Sequence, residues 1–471
     1  MQAAQWLKSQ GKGGDRVVIA LPSGVPGTIL YFATQFAGMV AVPLDPALEP
    51  RLFDLIVEEV DPVLVVISSD SKTTSRGRKV RFFRSYHDLQ RAVRGFPRAT
   101  DPLVSSDEPS RLVNIVYTSG TTGRPKGVML TEGNLEAVTR GIQKALAIRG
   151  HHRMFTALSF AHTYGLSQLW LMAREGAALG VVADITRIAV IKSMIVERGV
   201  DVIAGVPYHF ALLTRRGHKE KWEGIKRVTV AGDAPSTSLI KRMKLAFPRA
   251  SIFVMYGLTE ASTRLTVLPS SDLEKKVRSM GLPIEGVELK VIDEKGHELG
   301  PHEEGELIAR GPNVSPGYWK AEDLTQRTIT NGWLHTGDLV KKDNDGYYYH
   351  LGRRDLVFKS GGEKVIPEAI EKALLEIEGI RDAAVIGRDD PSLGKSICAV
   401  VVKEKGSELS RAGVIAACQG RLSRLWIPHD VVFVNEIPKT SHGKTRYHRL
   451  MEEVAHTKDS DHGRESSSAA C

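Results

Sequence analysis

Cysteine is scarce in this 471-residue sequence, and the few cysteines present have neither metal-binding nor redox spacing. They are Cys398, Cys418 and Cys471. The predicted setting is therefore reduced and intracellular, in the cytoplasm. Residues 1–16 lack the apolar segment of a secretory signal, which agrees with that location.

Long apolar runs are missing as well. Residues 27–44 form one uncharged run of nearly membrane-spanning length, but Gln35, Gly38 and Pro43 interrupt it. The run predicts a buried helix followed by a strand, and no membrane span is expected. A chain of 471 residues is too long for one ordinary core, so two or more domains are expected.

Acidic residues are nearly absent from residues 72–98, which contain nine basic residues and one acidic residue. The whole chain carries a net charge of +9. Three interpretations compete for this segment: a solvated face, a docking surface for an acidic carrier protein, or a nucleic-acid patch. No nucleic-acid motif accompanies the cluster, so a solvated or docking face is favoured and no nucleic-acid partner is expected.

Short apolar runs alternate with helical patterns through the first 280 residues, which predicts an α/β architecture with a largely parallel sheet. From Gly281 onward, short strands punctuated by glycine predict a barrel-like or antiparallel β subdomain. After Gly352, a helix near 368–375 and three further strands predict a small α+β unit. The apolar runs of the first part are 16–22, 62–67, 113–117, 201–207, 227–231 and 251–255.

The segment Tyr117–Val128, YTSGTTGRPKGV, packs small and hydroxylated residues between an apolar strand and Lys126. Glycines expose backbone N–H groups, hydroxyls add donors, and a lysine adds positive charge, so such a loop can surround the phosphates of a nucleotide. Pro-Lys-Gly replaces the Gly-Lys-Ser/Thr that the P-loop of NTPases requires. The candidate phosphate-binding residues are Thr118, Ser119, Gly120, Thr121, Thr122 and Lys126.

This segment resembles the phosphate-binding loop of the adenylate-forming superfamily, which includes acyl-CoA synthetases, non-ribosomal adenylation domains and firefly luciferase. Further motifs of that superfamily follow in the family's order as far as Leu450. The resemblance implies a large N-terminal domain of α/β layers with a barrel-like β subdomain, residues 1–354, and a small mobile α+β domain, residues 355–455. Residues 456–471 are polar and are expected to be disordered.

The resemblance also assigns roles around ATP and Mg²⁺. In MYGLTEAS, residues 255–262, Tyr256 and Gly257 would lie at the adenine, Thr259 at the α-phosphate and Glu260 on Mg²⁺, for which a carboxylate is a suitable ligand. A second loop, VAGDAPS, would flank adenine with Asp233, Ala234 and Pro235, although Asp233 departs from the small residue common in the family.

Three C-terminal motifs complete the implied reaction cycle. Asp338 of HTGD would hold the ribose hydroxyls, Arg353 of GRRD would contact ribose or phosphate, and Asp355 would be the domain hinge. Lys444 of PKTSHGKTRYHRL would bridge the substrate carboxylate and the α-phosphate. In the alternative conformation, Gly361, Gly362 and Lys364 would face the pantetheine arm or a phosphate of CoA.

SFAHTYG, residues 159–165, matches the acyl-pocket motif, which lacks the aspartate of amino-acid-activating relatives. It suggests pocket positions for His162, the aromatic gate, and for Tyr164, Gly165 and, from a later segment, Val206. Arg264 is a further pocket candidate, because a buried arginine can clamp a second carboxylate. It could equally form an ion pair outside the pocket, with Asp233, Asp272 or Glu274.

The function these motifs imply is activation of a small carboxylic acid by ATP and Mg²⁺, followed by transfer of the acyl group to a thiol, with CoA preferred. A stand-alone enzyme loading an acyl or peptidyl carrier protein is the nearest alternative. A luciferase-like oxygenase and a nucleotide-binding protein without turnover are weaker ones. Family members usually carry an extra strand and helix before the segment matching residues 1–18, and LWIP, residues 425–428, departs from the family pattern.

Overall fold

The computed structural model describes residues 1–68, 80–83, 86–97, 108–118, 125–182, 184–215, 221–439, 445–447 and 449–454. The chain divides into two compact units. The first unit contains residues 1–290, 308–336 and 344–348, and the second contains residues 291–307, 337–343 and 349–471. The domain boundary expected after residue 354 stays a prediction.

Helices are short, and several begin at a proline or at a capping side chain, as helix N-termini require. Thr131 and Asn134, for example, form a reciprocal capping box at the start of α5. The described helices are α1 Gln2–Lys8, α2 Val25–Phe36, α3 Pro50–Val60, α4 Tyr86–Val93, α5 Glu132–Leu146, α6 Thr163–Glu175, α7 Ile188–Glu197, α8 Pro207–Leu213, α9 Thr237–Ala246, α10 Glu322–Thr328, α11 Pro367–Leu374 and α12 Arg411–Cys418.

Strands occur at all of the apolar runs named above. The described strands are β1 Arg16–Ala20, β2 Val40–Pro43, β3 Leu64–Ser68, β4 Val80–Phe83, β5 Leu112–Thr118, β6 Lys126–Thr131, β7 Arg153–Thr156, β8 Ala178–Val181, β9 Val202–Gly205, β10 Arg227–Val230, β11 Ser251–Tyr256, β12 Thr266–Leu268, β13 Ser279–Pro283, β14 Glu288–Ile292, β15 Gly305–Arg310, β16 Gly317–Tyr318, β17 Ile329–Thr330, β18 Trp333–Lys342, β19 Tyr348–Arg353, β20 Phe358–Ser360, β21 Glu363–Val365, β22 Ile380–Asp390, β23 Gly394–Lys403 and β24 Asp430–Phe433.

The first unit contains a sheet with the strand order β16-β6-β5-β2-β1-β3-β4. The strands from β5 through β2, β1 and β3 to β4 pair in parallel, whereas β5 and β6 form an antiparallel hairpin. Val17 and Ile19 belong to one buried cluster and Val18 and Ala20 to another, so both faces of the sheet are covered. Such two-sided burial explains why its parallel strands read as continuous apolar runs.

A second series of strands in the first unit has the order β13-β12-β11-β10-β9-β7-β8. Strands β8, β7, β9, β10 and β11 are parallel, and β12 and β13 continue the series antiparallel. Because neighbouring parallel strands end at the same edge, the segments that follow β9, β10 and β11 are brought together there. These are the segments in which the sequence places pocket and nucleotide residues.

The second unit packs α11 and α12 against a three-stranded sheet with the order β22-β23-β24. Side chains alternate along β22: Ala383 and Val385 belong to the cluster with both helices, and Ala384 and Ile386 belong to a separate cluster with Ile437 and Leu450. The α/β fold class with a large N-terminal and a small C-terminal part is confirmed. The barrel-like arrangement of the glycine-punctuated strands stays a prediction.

The uncharged run that was a candidate membrane segment forms α2 and β2, as expected for a buried helix followed by a strand. Within the described ranges, the helices are all too short or too polar to cross a bilayer. The basic segment is described only in part, as β4 and α4, where Arg91 pairs with Asp88. The expected polar tail, residues 456–471, lies outside the described residues.

Candidate functional site

The β5–β6 hairpin holds the two ends of the predicted phosphate loop. Thr118 at the end of β5 is paired with Lys126 at the start of β6. The loop residues Ser119, Gly120, Thr121 and Thr122 lie outside the described residues. At Gly127 a Cβ would approach Ile115 to 2.8 Å, so only glycine fits beside the paired strand. The hairpin therefore fixes the backbone position of Lys126 at the end of the loop.

Glu260 lies in a tight turn between β11 and β12. A Cβ at Gly257 would lie 2.1 Å from the carbonyl oxygen of Thr263, so the turn closes only around a glycine. The hydroxyl of Tyr318 donates a hydrogen bond to Glu260 Oε1 at 2.7 Å, and the backbone N–H of Ser315 donates to the Glu260 carbonyl at 2.8 Å. Both the side chain and the backbone of Glu260 are thereby oriented.

Tyr318 connects Glu260 to the strand that carries Lys126, because Tyr318 in β16 pairs with Val128 in β6. Glu260 Oε2 makes no hydrogen bond or ion pair with the described residues, so one carboxylate oxygen is available to a hard cation such as Mg²⁺. No three His, Cys, Asp or Glu side chains among the described residues are arranged so that together they could hold a metal ion. One carboxylate suits Mg²⁺, which usually takes one or two protein carboxylates beside substrate phosphates.

Asn313 braces the same turn, although no sequence motif indicated it. Its side-chain N–H groups donate to the carbonyls of Ala261 at 3.2 Å and Arg264 at 2.9 Å. The Ser262 hydroxyl donates back to the Asn313 carbonyl at 2.7 Å. Ser262 and Thr263 have positive φ angles of 53° and 98°, which are costly for residues with side chains. The buried Asn313 compensates by holding the turn on both sides.

The adenine-flanking candidates lie at the ends of β10 and β11. Asp233 and Ala234 are exposed, and Asp233 Oδ1 accepts a hydrogen bond from its neighbour's N–H at 2.7 Å. Pro235 is buried. Tyr256 is the last residue of β11, and its carbonyl accepts from the N–H of Leu265. These residues end or follow two neighbouring strands at the same edge of the sheet. Their contacts with adenine remain proposals.

The acyl-pocket motif begins α6. Gly165 is required there, because a Cβ would lie 2.1 Å from the carbonyl oxygen of Ser159. His162 is the residue immediately before the helix. The Tyr164 hydroxyl lies 3.0 Å from the Thr229 carbonyl and 3.3 Å from the Gly205 carbonyl. Tyr164 thus joins α6 to the ends of β9 and β10, next to Val206.

Arg264 is the largest fully buried side chain among the described residues, with 1% of its surface exposed. Its guanidinium carbon lies 4.9 Å from the centre of the Tyr164 ring. Nε and Nη2 are buried and have no hydrogen-bond partner, and Arg264 forms no ion pair with any described residue. Burial lowers the pKa of Arg264 to about 10, and the effect of Tyr164 opposes this decrease.

Two of the three ion pairs that the sequence left open for Arg264 are replaced by other contacts. Asp272 accepts a hydrogen bond from the Tyr347 hydroxyl at 2.8 Å, and Glu274 lies 2.5 Å from Lys244 Nζ. Asp233 is exposed and has no ion pair with Arg264. Arg264 instead contacts the ring of Tyr164, and its place in the acyl pocket stays a prediction.

In the second unit, Asp338 is 3% exposed and lies at the centre of a charge cluster. Asp338 Oδ1 is 3.0 Å from Arg353 Nη1 and 3.4 Å from His350 Nε2. The other ring nitrogen of His350 lies 3.2 Å from Glu368 Oε2. The two carboxylates outweigh burial and raise the pKa of His350 to about 9, so the ring is an imidazolium at neutral pH.

Sequence reasoning selected Asp338 and Arg353 and missed His350 and Glu368. Arg353 also donates through Nε to Asp355 at 3.3 Å, which links the ribose candidate to the hinge candidate. Asp338 and Asp355 raise the pKa of Arg353 despite its partial burial. No motif contains His350, and its pairing with Glu368 is set by tertiary packing.

The CoA-facing candidates form a hairpin between β20 and β21. Gly361 and Gly362 are its two turn residues, with φ angles of 57° and 88°, a combination that favours glycine at both positions. Lys364 is exposed, and its carbonyl accepts a hydrogen bond from Trp426 Nε1 at 3.1 Å. The divergent LWIP segment therefore supports this hairpin.

The lysine predicted to catalyse adenylation, Lys444, lies outside the described residues. The described segments on either side of it meet, because Lys439 and Thr445 form a β-bridge. Lys439 Nζ lies 2.6 Å from Asp382 Oδ2, and the Tyr447 hydroxyl donates to Glu371 Oε1 at 2.8 Å. Both flanks are thus anchored to the body of the second unit.

Comparison with known proteins identifies two family models along the chain. The model described as AMP-binding enzyme matches residues 1–319, and the model described as AMP-binding enzyme C-terminal domain matches residues 369–444. The first match covers more than half of the chain and includes the phosphate-loop hairpin, the pocket motif and Glu260.

Individual relatives cover nearly the whole chain. A 2-succinylbenzoate–CoA ligase from Bacillus cereus is 30% identical over 433 residues, which is 92% of this chain and 87% of that protein. The structure of ATP-bound MatB from Rhodopseudomonas palustris has a TM-score of 0.87 at 27% identity and covers 96% of this chain and 92% of that one. The o-succinylbenzoate CoA synthetase MenE from Bacillus subtilis, in complex with the acyl-adenylate OSB-AMP, has a TM-score of 0.85 at 25% identity, with 95% and 90% covered.

Proposed function

The chain belongs to the AMP-binding enzyme family, and from that premise we propose how its residues divide the work of an acyl-CoA synthetase. The enzyme uses ATP and Mg²⁺ to convert a carboxylic acid into acyl-AMP with release of pyrophosphate, and then transfers the acyl group to CoA. Which residues act in each step is the proposal.

One observation carries the assignment of the adenylation site. Glu260 is held by Tyr318, and Tyr318 pairs with the strand that begins at Lys126, so the carboxylate lies beside the strand that follows the phosphate loop. A phosphate chain needs cationic and N–H contacts, whereas its Mg²⁺ needs an oxygen ligand. When bound, Mg²⁺ neutralises phosphate charge and eases departure of pyrophosphate.

We assign the remaining nucleotide contacts to Tyr256, Thr259 and the 233–235 segment at adenine and α-phosphate, and to Asp338 and Arg353 at the ribose. Asp338 is suited to this role because two flanking cations hold the buried carboxylate in place, and a carboxylate can accept two hydroxyl hydrogen bonds. Lys444 would stabilise the charge that develops as the carboxylate attacks the α-phosphate.

The thioester step is assigned to the Gly361–Gly362 hairpin after a rotation of the C-terminal domain about Asp355. A turn built from two glycines presents backbone without side chains, which a pantetheine arm can pass closely. The exposed Lys364 is available for a phosphate of CoA. The cytoplasm remains the proposed location, because the cysteines are few and without redox spacing.

The first experiment incubates the purified chain with Mg-ATP, CoA and a pooled panel of carboxylic acids, followed by mass spectrometry. We expect an acyl-CoA, and its mass identifies the acid. Acyl-AMP without a thioester would instead favour a carrier-protein phosphopantetheine as the acceptor. Light emission or O₂ uptake would favour an oxygenase, and absence of both adenylate and thioester would contradict the proposed division of labour.

The role of Lys444 is tested separately by Lys444→Ala. The variant should lose acyl-AMP formation but retain thioester formation from supplied acyl-AMP, because the lysine is proposed to act only in the first half-reaction. Lys405→Ala is the matched control, since Lys405 is exposed in the same unit and belongs to none of the proposed sites. Equal loss of both half-reactions in Lys444→Ala would overturn the assignment.

A further inference from the structure

We propose that Arg264 is a specificity-determining residue that binds a second carboxylate of the acid substrate, so that the enzyme activates dicarboxylic acids in preference to their monocarboxylic counterparts. The inference rests on the proposed function, because it names the acid class for the same adenylation site. Four observations support it: the burial of the guanidinium, the identity of its unpartnered N–H groups, the segments that surround it, and the side chain that covers one face.

Burial without a counter-ion is the first observation. Arg264 is 1% exposed, and none of the described residues provides a carboxylate for it. A buried cation without compensation is strongly unfavourable, and replacement by an apolar side chain of similar volume is often neutral or stabilising. Stability alone therefore does not account for an arginine here, whereas an anionic ligand does.

The unpartnered groups have the geometry of a carboxylate receptor. Nε and Nη2 are the two nitrogens without hydrogen-bond partners among the described residues. Their N–H bonds lie along one edge of the planar guanidinium and point in the same direction, so they match the two oxygens of a carboxylate in a bidentate pair. A single neutral oxygen can also accept from both donors, but it brings no negative charge to compensate the buried cation.

The surrounding segments place that edge among the proposed substrate-binding residues. Arg264 follows Glu260 by four residues and contacts the ring of Tyr164 from the acyl-pocket motif. The Tyr164 hydroxyl in turn reaches the carbonyls at the ends of β9 and β10, beside Val206 and the 233–235 loop. The guanidinium thus lies where segments carrying the metal ligand, the pocket and the adenine candidates meet.

Tyr164 also limits how an anion can approach. The ring centre is 4.9 Å from the guanidinium carbon, which is a cation–π contact that stabilises the charge on one face. A carboxylate accepted in the guanidinium plane leaves this contact intact. Tyr164 and the ligand would therefore compensate the same charge from different directions, the ring permanently and the carboxylate when substrate binds.

The test uses ATP–pyrophosphate exchange by the full chain with Mg-ATP and matched acids. The pairs are hexanedioate with hexanoate, and 2-succinylbenzoate with 4-oxo-4-phenylbutanoate, which lacks the ring carboxylate. We expect wild-type kcat/KM to favour the diacid in at least one pair. Arg264→Met should lower the diacid-to-monoacid ratio about 100-fold, the effect expected for loss of a buried charge pair, while Arg264→Lys should retain part of the preference.

Arg227→Met is the matched control, because Arg227 donates to the Leu146 carbonyl at 2.8 Å and contacts His152 away from the pocket. It should not change the diacid-to-monoacid ratio. Melting temperature provides the second readout: Arg264→Met should melt no lower than wild type. Hexanedioate added to the Mg-ATP-saturated protein should raise the melting temperature of wild type further but not that of the variant.

Two outcomes would overturn the inference while leaving the ligase function intact. One is exchange with monoacids in wild type at or above the diacid rate, and the other is an equal loss for both acids in Arg264→Met with a lowered melting temperature. If no acid supports exchange, the proposed function fails. Arg264-dependent stabilisation by hexanedioate would then still support an anion site, and its absence would overturn both.

Discussion

Arg264 in the first unit is fully buried and Arg353 in the second is partly buried, and the charges around them differ. Arg353 lies between Asp338 and Asp355, with His350 and Glu368 extending the same network. Arg264 has an aromatic ring and no carboxylate within the described residues. The pKa values reflect the difference, since that of Arg353 is raised and that of Arg264 is lowered to about 10.

The contrast separates two ways of preparing a binding site. In the second unit the protein supplies its own counter-charges, so Asp338 is held between two cations in the folded protein. In the first unit the charge of Arg264 is left for a ligand to compensate. Removing one member of a compensated cluster should lower the stability of the protein. Removing an uncompensated cation should lower substrate specificity but change stability little.

Asp338→Asn is the substitution with the largest expected effect. It leaves Arg353 and His350 without the carboxylate they share, so the free energy of unfolding should fall by about 3 kcal/mol. Urea denaturation at pH 7 measures the change. Asp355→Asn is the matched control, because Asp355 is 39% exposed in its pair with Arg353 and should cost less than about 1 kcal/mol. Equal losses in the two variants would contradict a central role for Asp338.

The sequence predicted a member of the Asp338 cluster only where a short motif contains that residue. Asp338 and Arg353 belong to short motifs and were predicted, whereas His350 and Glu368 were not. Their pairing joins β19 to α11, and that packing depends on long-range register. The same holds for Tyr318, which meets Glu260 from 58 residues away, and for Asn313.

Local segments were predicted well for a physical reason. Strands buried on both faces require continuous apolar residues, so β1, β3 and β5 are visible in the sequence. The requirement for glycine at positions 257 and 165 is also local, because a Cβ at either position would collide with backbone only six residues away in the same segment. Arg264 was predicted as a pocket candidate from the sequence. Its lack of an ion pair among the described residues was not predictable, because it depends on whether distant carboxylates already have other partners.

His350→Gln sharpens the comparison through its pH dependence. The pKa of His350 is about 9, above the ordinary 6.5, because Asp338 and Glu368 stabilise the imidazolium. The charged ring therefore contributes fully below pH 6.5, by at most about 3 kcal/mol, and the contribution disappears as the pH rises through 9. Unfolding free energies of both proteins at about pH 6 and about pH 9.5 test this.

His297→Gln is the control for that measurement, because His297 is 74% exposed in its pair with Asp293. We expect little change at either pH from its removal. A stability difference between wild type and His350→Gln that is the same at both pH values would show that the ring acts through packing instead of charge.

Glu371 in the second unit resembles Arg264 in one respect: it is a partly buried ionisable group that forms no ion pair with the described residues. Burial raises its pKa from 4.5 to about 7, and hydrogen bonds from Tyr447 and Val385 oppose the increase. Below pH 4.5 the carboxyl is neutral in both the folded and unfolded states. Between pH 4.5 and 7 the unfolded state ionises first, so folding stability falls as the pH rises.

Glu371→Gln should remove this cost, which the pKa change limits to about 3 kcal/mol and which weaker hydrogen bonds in the variant partly offset. The variant should therefore gain stability relative to wild type as the pH rises from 4.5 to about 7, measured by urea unfolding. Tyr447→Phe removes the hydrogen bond while keeping the carboxyl, and it should not remove the pH dependence. A constant difference between Glu371→Gln and wild type would contradict the raised pKa.

Tyr164→Phe has the smallest expected effect and tests what supports Arg264. The substitution removes the hydroxyl that reaches the Thr229 and Gly205 carbonyls, but it keeps the ring against the guanidinium. The loss of unfolding free energy should be about 1 kcal/mol, with the preference for diacids retained. Tyr164→Leu removes both ring and hydroxyl and should lower that preference as well. If the two variants were indistinguishable in stability and in acid preference, the ring would not stabilise the cation, and the two units would differ less than their pKa values indicate.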